Sequence, residues 1–194
     1  MARPRPSRAA ASRRASRPAS RGSRSPRGAG APPAGLRIGC GADAHALRPG
    51  RRLVLGGVEI PHSLGLAGHS DADVLSHALC DALLGALGLP DMGTRFPDSD
   101  PGLKDRSSLF FLQDVMREVR ARGFEIVNVD TVVLAEAPRL QPHLETIRAS
   151  LAGALGVPPS SVGFKAKRLE GLGAVGRQEG IMAQAVALLS GPRR

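Results

Sequence analysis

Residues 39–47, GCGADAHAL, set a carboxylate and an imidazole two positions apart in a run of small residues. In an extended segment, residues two apart point to the same side, so Asp43 and His45 can present an oxygen and a nitrogen to one point. Three of the five histidines, His45, His69 and His77, fall within 33 positions; His62 and His143 adjoin prolines at element ends and read as solvated surface side chains. His77, inside a predicted helix, can supply a third ligand. Two imidazoles and one carboxylate with an open position suit a catalytic Zn²⁺, and the same trio suits non-haem iron. The bland alternative is that Asp43 caps a turn and His77 is a satisfied core histidine, and the pair alone does not choose. Asp73, His77 and Asp81 recur at i, i+4 and i+8, forming one polar stripe that would bring a carboxylate to the second ring nitrogen of His77, or else an ordinary solvated face. Cys40, by alternation, faces away from Asp43 and His45. No Ser or Cys sits in an elbow-like turn beside a base, so no protein nucleophile is evident.

These residues must be positioned by the elements around them. LRIGCGA, residues 36–42, reads as a strand, and LVLGGVEI, 53–60, reads as a tight hairpin with Gly56-Gly57 at its turn. The link GLAGHSDAD leads into the clearest helix, HSDADVLSHALCDALLGALG, with Ser70 as N-cap, acids in the first turn and Val74, Ala78, Leu79, Ala82 and Leu83 on one face. Its free N-terminal N–H groups make Ser70–Ala72 a natural phosphate seat. Gly88 and Pro90 end it. LPDMGTRFPDSDPG, 89–102, is a loop long enough to be functional. A second helix is predicted over 104–122, a strand over 124–136, a third helix from Pro142 to Gly156, and strands at SVGFKAK and IMAQAVALLS flanking the loop RLEGLGAVGRQEG. Strands alternating with helices predict an α/β layer fold, a mixed β-sheet with helices against it, in one domain over 36–194. The sheet order is not readable.

Composition narrows the function class. The chain of 194 residues carries a net charge of +10, yet residues 1–35 hold nine Arg and no acid. Removing those nine from 27 basic residues leaves 18 against 17 acidic, so the body is near neutral and no nucleic-acid-binding face is expected on it. The Arg/Ser/Pro/Ala-rich head has no large apolar residue beyond Met1 and is expected to be disordered. It reads as a targeting segment, an over-extended start, or a phosphate-binding arm, the last making a nucleic-acid module the competing function. Two cysteines give no secreted disulfide framework. No apolar run approaches a membrane span, so no membrane partner is expected.

The motif order is more specific than any spacing. RIGCGADAH, AGHSDADVLSHALCDALLGALGLPDMG, FPDSDP, AEAPRL and KAKRLEGLGAVGRQEGI together resemble the 2-C-methyl-D-erythritol 2,4-cyclodiphosphate synthase family of the non-mevalonate isoprenoid pathway, over 36 to about 190. The resemblance implies Asp43, His45 and His77 as Zn²⁺ ligands, with Asp43–His45 also contacting substrate through Ala44. It implies His69 as a transition-state stabiliser and Ser70 as a phosphate contact. Asp91, Met92 and Gly93, then Phe96, Pro97, Asp98, Ser99 and Asp100, match a mobile loop lining the methylerythritol part. Ala135, Glu136, Ala137, Pro138, Arg139 and Leu140 match a turn that holds cytidine through main-chain groups. Lys167, Arg168, Leu169, Ala174 and Arg177 match phosphate-side positions, and Glu170 matches the ligand of a second cation, Mg²⁺ or Mn²⁺. The implied assembly is a homotrimer around a central β-lined cavity, with sites between subunits. The implied compartment is bacterial cytoplasm, or plastid stroma if the head is a transit peptide.

The implied reaction fits the residue types. 4-Diphosphocytidyl-2-C-methyl-D-erythritol 2-phosphate carries its own nucleophile, a 2-phosphate oxygen that attacks the β-phosphorus and expels CMP, a phosphorus–oxygen lyase step. Such a substrate needs cations and positioning rather than a protein nucleophile. Four departures from the family pattern stand out. Ala42 replaces an aromatic or Thr, Ala174 replaces a Phe, and Arg177-Gln178-Glu179 replaces R-G-E. Arg168 replaces a Thr that assists at the phosphate, and so inherits its catalytic position. An Arg there is expected to contact the diphosphate or point outward, since it neutralises phosphate but cannot imitate a compact hydroxyl.

Overall fold

The computed structural model describes residues 35–192. The expectations for the Arg-rich head, covering disorder, targeting and phosphate binding, lie outside the described residues. Strand β1 runs Gly35–Pro49, followed by β2 (Leu53–Leu55), β3 (Val58–Ile60) and β4 (Leu64–Leu66). Helix α1 (Val74–Leu87), the short α2 (Met92–Arg95) and α3 (Ser108–Ala121) come next, then β5 (Glu125–Leu134), α4 (Leu144–Leu155), β6 (Val162–Lys167), the single turn α5 (Gly173–Gly176) and β7 (Gly180–Gly191). The main sheet has the order β4-β1-β7-β5-β6; only β5 and β6 are parallel, so the sheet is mixed as expected. β2 and β3 form the predicted hairpin, whose Gly56 and Gly57 have φ of 57° and 75°, the left-handed pair that a tight hairpin turn demands.

The strand predicted over 36–42 continues to Pro49, because β7 pairs with β1 from Gly35 to Ala46 and carries Asp43 and His45 in register opposite Ala183 and Ile181. Gly39 and Gly41 face α1, and they are the reason the helix can lie there. A Cβ at Gly39 would sit 1.9 Å from the Ala82 carbonyl oxygen, and one at Gly41 2.1 Å from that of Ala78. The backbone of α1 therefore rests directly on β1, and the same face of the strand continues into Asp43 and His45.

The helix departs from its predicted form in three ways. Asp73, not Ser70, is the N-cap: its carboxylate accepts from the N–H groups of Leu75 and Ser76. The acids therefore precede the helix, and its first turn holds none. This side chain occupies the helix-start N–H groups of Leu75 and Ser76, while at the predicted phosphate seat the Asp71 N–H donates to the Arg106 carbonyl and the Ala72 N–H to Ser70 Oγ. Burial is nearly all round rather than along one stripe, reaching Leu75, Cys80, Leu84 and Leu87, because the sheet covers one side and α3 and β2 cover the other. The second helix begins at Ser108 rather than 104; Asp105 has φ of 56°, which no helix turn accommodates, and a separate 3₁₀ turn takes Pro101–Leu103. Gly156, φ 71°, closes α4 as expected.

The core lies between the helices and one sheet face, where Ile181, Ala183, Ala185, Ala187 and Leu189 of β7 are buried. The other face leaves Leu36 66% and Ile38 71% exposed, with Val186 beside them. Among the described residues no helix is long and apolar enough to cross a membrane.

Candidate metal centre and active site

Asp43 and His45 leave β1 on the side that carries α1, and His77 meets them from the first turn of that helix. Asp43 Oδ2 lies 3.0 Å from His45 Nε2 and 3.0 Å from His77 Nδ1, and the two ring nitrogens are 3.2 Å apart. The other Asp43 oxygen accepts the Ala44 N–H at 2.8 Å, which aims Oδ2 at the imidazoles. Bonds of about 2.0–2.1 Å to a tetrahedral cation require donor atoms roughly 3.3 Å apart. The trio therefore has the dimensions of one face of a tetrahedron, and three electron-rich atoms at this separation call for a proton or cation among them. Burial opposes ionisation of Asp43, yet the hydrogen bonds and charges of His45 and His77 outweigh it and hold the carboxyl well below the usual carboxylate range. Among the described residues this is the group of three that could hold a metal ion.

The predicted polar stripe does not serve His77. Asp73 is fully buried and its carboxylate is consumed by the N–H groups of Gly56 and Gly57, at 2.9 and 2.7 Å, the Ser76 hydroxyl and the helix cap. Burial raises its pKa against those hydrogen bonds. Asp81 accepts the Met92 N–H at 2.7 Å. The second nitrogen of His77 instead meets Ser108 Oγ at 2.8 Å and Ser70 Oγ at 3.3 Å, and Ser108 in turn is bound by Asp71. Sequence reasoning missed Ser108 and Asp71 because they lie 37 positions apart; only the acid in HSD hinted at either.

A cavity of about 260 Å³ gathers the trio with His69, Ser70, Met92, Gly93, Phe96 and Asp98. Its outer wall is pinned: Phe96 packs on Phe111 with ring centroids 4.8 Å apart, and Arg95 reaches Asp114 at 2.8 Å. Asp91 caps α2 through the Thr94 N–H, while Pro97, Ser99 and Asp100 are exposed. The segment holding His69 and Ser70 is strapped by Arg51, whose guanidinium donates to the carbonyls of Leu66, Gly68 and Ser70 at 3.2, 3.2 and 2.7 Å. Arg51 was also missed, since the sequence shows only one of two adjacent arginines before a strand.

The remaining expected residues gather elsewhere. Ala135, Pro138, Arg139 and Leu140 line a second cavity of about 220 Å³ with Lys167 and Arg168. Glu136 and Ala137 complete that turn, and Glu136 accepts from Arg168 Nε at 3.1 Å and from the Leu169 N–H at 3.1 Å. The hydrogen bond from Arg168 holds the Glu136 carboxyl below its ordinary range. Arg168 therefore points neither simply outward nor into the trio; it ties the end of β6 to the turn after β5. Ala44 and Ala174 line a third cavity on another side of β1. Glu170 is exposed with φ of 50°, and Arg177 pairs with Glu179 at 2.7 Å.

A mixed sheet packed by helices, carrying a carboxylate–imidazole trio that could hold a metal ion at the wall of a cavity, marks an α/β enzyme. The YgbB family model matches residues 36–190. A 2-C-methyl-D-erythritol 2,4-cyclodiphosphate synthase from Syntrophomonas wolfei is 53% identical over 154 residues, covering 79% of this chain and 98% of that protein. One from Gloeobacter violaceus is 56% identical, covering 79% and 94%. A solved structure of such a synthase in its CDP-bound form is 42% identical with a TM-score of 0.74, covering 79% of this chain and 99% of that one. The chain belongs to the 2-C-methyl-D-erythritol 2,4-cyclodiphosphate synthase family.

Proposed function

We propose that this chain converts 4-diphosphocytidyl-2-C-methyl-D-erythritol 2-phosphate to 2-C-methyl-D-erythritol 2,4-cyclodiphosphate with release of CMP. The observation that carries the reading is the convergence of Asp43, His45 and His77 within 3.2 Å in the cavity that also holds His69 and Ser70, in a chain of this family. Two imidazoles and one carboxylate favour Zn²⁺ in that trio. When bound, the ion supplies Lewis-acid polarisation of a phosphoryl oxygen. His69 and Ser70 face the same space, where the imidazole stabilises developing charge and the hydroxyl contacts phosphate. The loop from Asp91 to Asp100 encloses the methylerythritol part, with Phe96 as its apolar anchor. Lys167 and Arg177 supply positive charge toward the diphosphate, Arg168 reaches it only by leaving Glu136, and the exposed Glu170 takes the second hard cation, Mg²⁺ or Mn²⁺, together with substrate oxygens.

The turn Ala135–Leu140 is assigned to cytidine, in keeping with the CDP bound by the solved relative. Its cavity shares no lining residue with the metal cavity. That separation supports a homotrimer in which a metal trio from one subunit faces the cytidine turn of the next. The exposed apolar face of β1 and β7, with Leu36, Ile38 and Val186, supports the same assembly, since such a face favours burial against further copies around a central axis. The compartment is bacterial cytoplasm, or plastid stroma if the head is a transit peptide.

The test is CMP release from the diphosphocytidyl substrate, with bound metal measured in parallel. His45→Ala and His77→Ala are each expected to lose zinc and CMP release together. Full CMP release by both variants would overturn the assignment, and iron with oxygen-dependent turnover would point to the oxygenase reading of the same trio.

A further inference from the structure

We propose that Ser108 and Asp71 act as a positioning pair behind His77, fixing which of its ring nitrogens carries the proton; the inference rests on the reading of the trio as a metal site. Ser108 is fully buried at the start of α3. Both of its donors go to one carboxylate: its N–H donates to Asp71 Oδ2 at 3.0 Å and its hydroxyl donates to Asp71 Oδ1. With that hydroxyl proton committed, the oxygen is left with lone pairs, and the atom facing it at 2.8 Å is His77 Nε2. Nε2 must then be the donor, so a ring proton is held there; Nδ1, which faces Asp43 Oδ2 at 3.0 Å and His45 Nε2 at 3.2 Å, is the nitrogen left for a cation or, in its place, a second proton.

The carboxylate is itself fixed. The Asp73 N–H donates to Asp71 Oδ1 at 3.2 Å, and the Asp71 N–H donates to the Arg106 carbonyl at 3.1 Å. Ser70 Oγ lies 3.3 Å from the same ring nitrogen and accepts the Ala72 N–H at 3.2 Å. Its hydroxyl proton is not committed to a carboxylate, which leaves Ser70 able to turn toward substrate while Ser108 holds the ring. Partners of this kind on the far nitrogen orient a ligating imidazole and raise its basicity, and their loss costs about 10- to 100-fold in metal affinity.

Asp71→Asn removes one of the two acceptor oxygens. Its one carbonyl oxygen can replace Oδ2 toward the Ser108 N–H, or Oδ1 toward the Ser108 hydroxyl and the Asp73 N–H, and in either orientation the amide NH₂ is set against a donor. The hold of Ser108 on His77 is loosened in both.

The experiment uses the full chain, with ring-nitrogen NMR of His77 in the metal-free protein, and zinc titration against a chromogenic chelator. The wild-type ring is expected to carry a proton on Nε2, with or without a second on Nδ1 toward Asp43; a ring protonated on Nδ1 alone overturns the proposal without any variant. Ser108→Ala, checked as folded by circular dichroism, is expected to bind zinc 10- to 100-fold more weakly; zinc affinity within twofold of wild type overturns it. Asp71→Asn is expected to weaken zinc binding as Ser108→Ala does, and zinc affinity within twofold of wild type overturns it. His77→Ala separates the two readings. Unchanged zinc binding there removes the trio as the metal site, whereas loss of zinc there with none lost in Ser108→Ala removes only the positioning pair.

Discussion

The cavity around the Asp43, His45 and His77 trio and the turn proposed for cytidine belong to one chain but are built on opposite terms. Around His77 the polar atoms are met by buried partners: Ser108 and Asp73 are fully buried, and Asp73 alone takes donors from the hairpin turn and the helix start. Around Arg168 the partner is Glu136, whose side chain is 9% exposed, in an ion pair whose guanidinium side chain is half exposed and open to solvent. Buried hydrogen-bonded groups hold one geometry because each alternative strands a donor or acceptor away from water. Exposed ion pairs hold theirs weakly, since solvent and salt compete for both partners. The trio between β1 and α1 is thus held in one geometry, while the turn after β5 stays adjustable.

The largest effect is expected from the contact that lets the rigid half exist. Gly41→Val places a Cβ 2.1 Å from the Ala78 carbonyl and forces α1 off β1. Overpacking commonly costs about 1–3 kcal/mol, and a clash with backbone rather than a pliant side chain puts this variant at or beyond the upper end. Loss of the cooperative transition in urea, or a drop above about 3 kcal/mol, is expected; a stability near wild type would mean that the strand–helix approach does not set the trio. Asp73→Ala comes next. It orphans the N–H groups of Gly56, Gly57, Leu75 and Ser76, and each buried unsatisfied donor costs about 1–3 kcal/mol where water cannot enter. Water admitted by the shorter side chain offsets part of this, so a loss of about 3 kcal/mol in the same assay is expected.

Why these two residues matter was only half legible beforehand. The hairpin glycines, the stops at Gly88 and Gly156 and the alternation of Asp43 with His45 are local signals, and the sequence states them in full. The N-cap was misread because Ser70 and Asp73 are both good capping residues at either end of one short segment. The choice between them was made by the hairpin turn, whose N–H groups need the Asp73 carboxylate. Gly39 and Gly41 lie in the strand read from LRIGCGA, and nothing local shows the helix backbone that lies against them. Ser108 and Arg51 carried no local mark at all, since their partners are brought near only by the packing of α3 on α1 and of the β2 end on the segment after β4. Motif order pointed to the metal trio but could not tell which residues held it in place.

A moderate effect is expected where the rigid half meets substrate. Arg51→Met removes the strap across the carbonyls of Leu66, Gly68 and Ser70 while keeping the length of the side chain. None of the three metal ligands lies on that segment, so zinc affinity should stay at the wild-type value while CMP release falls roughly tenfold, chiefly in kcat, as His69 and Ser70 lose their fixed aim. A parallel loss of zinc would show that the strap supports the metal site itself and would erase the boundary drawn between ligand shell and substrate segment.

The smallest effect belongs to the adjustable half, and its sign is the informative part. In the free protein Glu136 neutralises Arg168, so the arginine offers little net charge to a nucleotide phosphate. Glu136→Gln keeps an oxygen to accept the Leu169 N–H but frees the guanidinium. CDP binding, measured by calorimetry at low salt, is expected to tighten about two- to fivefold, the range open to an exposed pair, and to lose the gain as salt is raised. Lowering the pH should imitate the substitution. The Glu136 carboxyl is held below its ordinary range, so the pair persists through the pH at which a free glutamate protonates and releases Arg168 only as the pH falls through the depressed folded value. Arg168→Thr should weaken CDP binding by about the same two- to fivefold, because it bares the Glu136 carboxylate beside the phosphate. If instead it weakens CDP binding by an order of magnitude, Arg168 leaves Glu136 for the phosphate on binding, and the nucleotide end is switched rather than merely loose.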